Sequence, residues 1–183
     1  MSLYLSPFYA DKPHERFPKT DCAYWIRRLA RQVEILEYDN GGARLPVASI
    51  AKMLSAALRD ARGRDLSVGT MIAGFDRGKG RPALFYVDSE GSCVPGDVFC
   101  VGSGANLAYS VLDDSAATTK SLRSMTVDEA ADVATWALRH ATFRDGFSGG
   151  YINIIYINAT GCHHLRRIDI RTLAVRASAD DQL

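Results

Sequence analysis

From Thr20 onward the apolar residues recur at three- and four-residue steps. Cys22, Trp25, Ile26, Leu29, Val33 and Leu36 share one helical face, with Thr20 or Asp21 placed to cap its start and Gly41 and Gly42 to end it. A second helix tolerates Pro46 in its first turn and carries Val47, Ile50, Ala51, Leu54, Ala57 and Leu58 on one face before Gly63 stops it. The period then changes. Residues 66–75 and 83–87 are rich in strand formers and flank the turn DRGKGR (76–81), which predicts a hairpin. After a turn at 88–91, residues 94–101 predict a third antiparallel strand. Gly102, Ser103 and Gly104 mark a tight loop, 107–112 a short helix, and 113–124 a polar, exposed excursion. Another helix begins at Thr126, where Glu129 stands at the spacing of a capping box. Its buried face is Val127, Ala131, Ala134, Leu138 and Ala141. A loop over 143–150 leads to two closing strands, 151–157 and 163–170, with a turn near 158–161. This order predicts an α+β fold with mainly antiparallel sheet, not the strict alternation of a dinucleotide fold.

The first twenty residues differ from the rest. Pro7, Pro13 and Pro18 fall among mixed charges without a period, so 1–20 reads as a divergent segment of unassigned structure before a domain over 21–183. At 183 residues the chain is one domain of ordinary size, able to bury a core without staples. With 22 Lys and Arg against 21 Asp and Glu, it lacks the basic surplus that phosphate binding requires, which argues against a nucleic-acid partner. The most apolar helical stretch, 130–141, is broken by Asp132, Arg139 and His140, so no membrane partner is expected. Residues 1–10 have no basic start or long apolar run of a secretory signal. Cys22, Cys93, Cys100 and Cys162 are few and irregularly spaced, which reads as free thiols in a cytosolic or nuclear chain.

Several short patterns invite chemistry and are better read as structure. A nucleophile elbow around Ser103 would need glycine where Val101 stands, and no histidine is placed to activate it. Around the glycines of 74–80 the lysine and hydroxyl do not stand at the spacing of a phosphate loop, so a hairpin turn is preferred. Cys162, His163 and His164 with Cys93 and Cys100 have no paired ligand spacing, so no metal or other cofactor is expected. The basic run 163–171 alternates with Leu165, Ile168 and Ile170, as in a strand with one solvated or subunit-facing side.

Six stretches together carry a resemblance: DCAYWIRRLARQ (21–32), VASIAKMLSAAL (47–58), LSVGTMIAGFD (66–76), LFYVDSEG (84–91), FCVGSGANLAYSVLD (99–113) and ATFRDGFSGG (141–150). In order and collinear to the last strand, they resemble the proteasome β subunits, most of all the type-5, chymotrypsin-like kind. The resemblance implies the four-layer αββα sandwich of N-terminal nucleophile hydrolases. It also implies partners: the other α and β subunits of a hetero-oligomeric core particle in cytoplasm and nucleus, and polypeptide substrates. In that family a processed N-terminal threonine attacks the peptide carbonyl, its own amine or a held water serving as base. The type-5 kind cleaves after large apolar residues.

By motif position, Ser103, Asp145 and Ser148 match the family residues that hydrogen-bond around that threonine and orient its amine. Asp88 resembles an acidic residue lining a substrate pocket of the adjacent subunit. Two hydroxyls and a carboxylate on glycine-flanked loops suit an ammonium group, whose donors need acceptors on several sides. The competing reading of Asp145 is a carboxylate that only caps backbone amides. Residues 1–20 resemble neither the family's processing site nor its first strands. The expectation is therefore a sandwich lacking those strands, with no catalytic nucleophile in the chain and a structural or assembly role. The alternative is a piece of an active type-5 threonine peptidase. Thr20, Thr118 and Thr119 are not positioned to substitute. Open sheet edges would follow, coverable by residues 1–20 or by a partner, with marginal stability in isolation.

Overall fold

The computed structural model describes residues 2–4, 21–63, 66–118 and 124–172. Two long helices come first, α1 over Asp21–Asp39 and α2 over Val47–Asp60. Gly41 and Gly42 end α1 in positive-φ conformations. Pro46 lies one position earlier than the first turn expected for it: it is the N-cap residue of α2 and offers no side-chain cap. The orphaned amide of Val47 is taken instead by the buried Asp76, whose Oδ1 lies 3.4 Å away. Thr20 lies outside the described residues.

The predicted hairpin forms as β2 (Gly69–Asp76) and β3 (Arg81–Asp88), paired antiparallel from Gly69 opposite Asp88 to Asp76 opposite Arg81. The third strand is much shorter than expected. β4 spans only Cys93–Pro95, because Pro95 cannot donate to a ladder and the chain bends at Asp97 after Gly96 bonds the Leu84 carbonyl. Residues 96–104 then run irregularly into α3.

The short helix expected at 107–112 is in fact α3, Ala105–Thr118. Asp113 and Asp114, read as the start of a loop, lie on the solvent side of this helix, while Ala108, Val111 and Leu112 face α4. The rest of that predicted excursion, 119–123, lies outside the described residues. Helix α4 (Val127–Arg144) opens with the capping box as predicted, Thr126 and Glu129 each accepting the other's backbone N–H. Its buried residues are Ala130, Ala131, Ala134, Ala137 and Ala141, with Val127 and Leu138 only half-buried. The strands β5 (Tyr151–Asn158) and β6 (Gly161–Asp169) close the chain, with a register shift at Ile154/Ile155.

The strands make two three-stranded sheets, β2-β3-β4 and β1-β5-β6, where β1 is Ser2–Tyr4. This strand, unassigned by sequence reasoning, pairs antiparallel with Ile155–Ile157 of β5. The sheets pack on each other through β1, β2 and β5; α2 covers one outer face and α4 the other, giving helix, sheet, sheet and helix layers. Apolar clusters sit beneath each helix layer. Trp25, Leu54, Leu58, Ala61, Val68 and Val87 close the α1–α2 side. Ala131, Ala134, Ile152 and Ile154 join α4 to β5. Burying a leucine such as Leu54 or Leu58 stabilises the fold by roughly 2 kcal/mol. On the other side, Arg166 of β6 pairs with Asp132 and Asp128 of α4, which fixes the helix along the sheet.

Candidate functional site

Three of the residues singled out by sequence meet where α4 ends. Asp145 is the C-cap residue, its N–H bonded to the Ala141 carbonyl at 2.8 Å. The chain turns there, with Ser148 N–H on the Asp145 carbonyl at 3.1 Å and Phe147 N–H on Asp145 Oδ1 at 3.3 Å. That local turn occupies one carboxylate oxygen and leaves the other free to reach outward. Ser103 Oγ donates to Oδ2 at 2.5 Å and Ser148 Oγ donates to the same atom at 2.6 Å. The amide-capping and hydroxyl-collecting readings of Asp145 thus both describe it, one per oxygen.

Ser103 comes from forty-two residues away, across the whole α3–α4 hairpin. Gly102 (φ 118°) lets its loop bend, and Gly104 lets it approach. A Cβ on Gly104 would lie 3.1 Å from both Asp145 Oδ2 and Ser148 Oγ. Sequence reasoning missed the role of Gly104, although the G-S-G triplet was its signal.

The Ser103 hydroxyl, followed by the Ser148 hydroxyl and the Phe147 amide, holds the Asp145 carboxyl below the usual carboxylate range. It is therefore ionised at neutral pH and can only accept. Each serine gives its proton to the carboxylate and turns its lone pairs elsewhere. Neither hydroxyl has a histidine or lysine partner among the described residues, so neither serine is set up as a nucleophile. The group is an anionic, acceptor-rich cradle, fit to hold an ammonium or to orient a nucleophile brought to it.

A cavity of about 40 Å³ shares Ser103, Gly104 and Ser148 with this group and is otherwise walled by Met71, Phe99, Cys100, Val101, Gly102, Leu138 and Ala141. It has room for a water. Burial, reinforced by the charge of Asp113, pushes the Cys100 thiol up to about 11, so it stays protonated and inert.

Asp88 stands apart. Its Oδ1 accepts the amides of Glu90 and Ser92 at 3.0 and 2.8 Å, pinning the β3–β4 turn, and no hydrogen bond links it to the Ser103 group. Among the described residues, no three His, Cys, Asp or Glu side chains gather where they could hold a metal ion, and no helix is long and apolar enough to cross a membrane.

Residues 19–157 match the family described as "Proteasome subunit". The chain is 39% identical over 153 residues to "Proteasome subunit beta type-5" of Gallus gallus, covering 84% of this chain and 57% of that relative. It is 40% identical over the same length to "Proteasome subunit beta type-5" of Spinacia oleracea, covering 84% and 53%. Similarity to "Proteasome subunit beta type-8" of Canis lupus familiaris is 38%, over 84% and 52%. The chain spans about half the length of these curated relatives.

Proposed function

The chain belongs to the proteasome subunit family, and on that premise we propose that it is a β-type subunit of a proteasome core particle that contributes packing surface rather than a nucleophile of its own. The observation that carries the proposal is the apolar surface around the end of α4. Phe143 and Phe147 are 85% and 84% exposed, and Trp136 is 56% exposed on the same helix. Large aromatic side chains left in water on one helix and the turn that follows it are characteristic of a surface that another protein covers. The partners are the other α and β subunits, in cytoplasm and nucleus, and the particle's substrates are polypeptides.

A second reading is favoured by the Ser103–Asp145–Ser148 group. An ionised carboxylate and two oriented hydroxyls are what an N-terminal threonine amine requires, and Asp88 would line a neighbour's substrate pocket. On this reading the chain is part of a threonine-type endopeptidase cleaving after large apolar residues. One experiment separates the two. Core particles are purified through a tag on this chain, treated with a threonine-reactive epoxyketone, and the chain is weighed by mass spectrometry. The assembly role predicts co-purification with α and β subunits and no adduct. An adduct on the chain establishes the peptidase reading, and failure to co-purify overturns the assembly role.

A further inference from the structure

The edges of the two sheets are guarded unequally. β6, at the outer edge of its sheet, carries Arg166 and Arg167, whose charges discourage another strand. The outer edge of β4 is three residues long and ends in Pro95. β2 is interrupted by Gly69 and Gly74, which weaken it as a template. β5 has none of these protections. Its sequence YINIIYIN holds four isoleucines and two tyrosines and contains no charge, proline or glycine. Such a segment, uncovered, is a template for pairing with another chain.

One side of β5 is covered along its length by β6. On the other side lies β1, paired at Ser2↔Ile157, Leu3↔Tyr156 and Tyr4↔Ile155. Like β3 beneath β4, β5 is covered on that side by a strand of only three residues, but β3 carries Arg81, Pro82 and Asp88 of its own and β5 carries no such guard. We propose that β1 is a protective cap on β5, and that displacing it lets β5 pair antiparallel with the β5 of a second copy of this chain. A second copy fits because antiparallel pairing of one strand with itself is self-complementary about a two-fold axis, and β5 presents no charge to repel its own image. This inference goes beyond the proposed assembly role and stands whether or not the chain is catalytic.

The test uses the purified full chain, Leu3→Pro, and Leu3→Pro combined with Ile157→Lys, compared by sedimentation velocity and by hydrogen exchange. Proline at position 3 removes a donor and breaks the β1 ladder; lysine at position 157 puts a charge on the exposed edge. The full chain is expected to sediment as a monomer with protected β5 amides. Leu3→Pro lowers the concentration at which dimers form by about ten-fold or more, and Ile157→Lys reverses that effect. Four results overturn the proposal: a Leu3→Pro chain that stays monomeric, a full chain that associates as readily, association that Ile157→Lys does not reverse, or Leu3→Pro losing protection throughout α2 and α4. The last would show that β1 holds the fold instead of blocking an edge.

Discussion

Asp88 and Asp145 both stand where an element ends in a turn, and both accept the amide two residues further on, yet their surroundings differ. Asp88 directs one oxygen to two amides of its own turn, and the loop it pins is locked from beneath. Ser55 donates to the Gly91 carbonyl at 2.5 Å, Arg59 donates to Ser55 at 2.7 Å, and Arg62 donates to the Glu90 carbonyl at 2.8 Å. Asp145 divides its oxygens between its own turn and a hydroxyl from a distant loop. A carboxylate satisfied locally serves the fold. One that draws in a hydroxyl from across a helical hairpin defines a place where something else can bind.

Substitutions should separate the two regions. The largest stability loss belongs to Gly91→Ala: Gly91 has φ +76°, and a Cβ there would lie 2.5 Å from the Ser55 carbonyl oxygen. A loss on the order of 3 kcal/mol in urea denaturation is expected. Next comes Asp88→Ala, which frees the Glu90 and Ser92 amides and costs roughly 1 kcal/mol in the same assay. Gly104→Ala carries no backbone strain, but its methyl crowds Asp145 and Ser148. With the Ala141 Cβ 3.2 Å from that methyl as well, it should cost less than Gly91→Ala in urea while raising the Asp145 pKa, read by carboxyl carbon NMR. A large loss of stability there would erase the contrast with Gly91.

The smallest effects are on titration alone. Ser103→Ala should move the Asp145 pKa back toward the ordinary carboxylate value, and Ser148→Ala should do so by less, because the Ser103 bond is the leading cause of the lowering. The folded-state value lies below the unfolded one. The Asp145 contribution is therefore complete above the ordinary carboxylate range and is lost as pH falls through the folded value. Acidification through the folded value should loosen the 103 loop, seen as faster amide exchange there. A 103 loop whose exchange does not change with pH would show that the ionised Asp145 does not hold it.

Local signals were legible and long-range ones were not. The capping box at Thr126 and the 76–81 turn between β2 and β3 are chemical statements within a few residues, and both stand as read. The failures came where composition stood in for geometry. Residues 94–101 are apolar enough for a strand, but Pro95 ends the ladder. Asp113 and Asp114 look like loop, but a helix with one solvated face accommodates them. Ser103 and Asp145 were paired by family motif alone, since no local rule predicts that α3 and α4 fold back to unite residues forty-two apart. That residues 1–20 could cover a sheet edge was legible in the missing strands, but that Ser2–Tyr4 would do so against β5 was not, for the same reason.

The row of alanines under α4 has a consequence for accuracy. Leucines or methionines in a helix interface can shift rotamer and let the helix ride higher or lower. Ala130, Ala131, Ala134, Ala137 and Ala141 have no rotamers to change. On the α4 side the separation from its neighbours is set mainly by backbone and methyl groups, with Val133 and Leu138 packing beside them, and Ala141, which bonds the Asp145 amide through its carbonyl, is the last of that row. The carboxylate at the helix end thereby inherits a height over the Ser103 loop set mainly by groups that have no torsion to freeze.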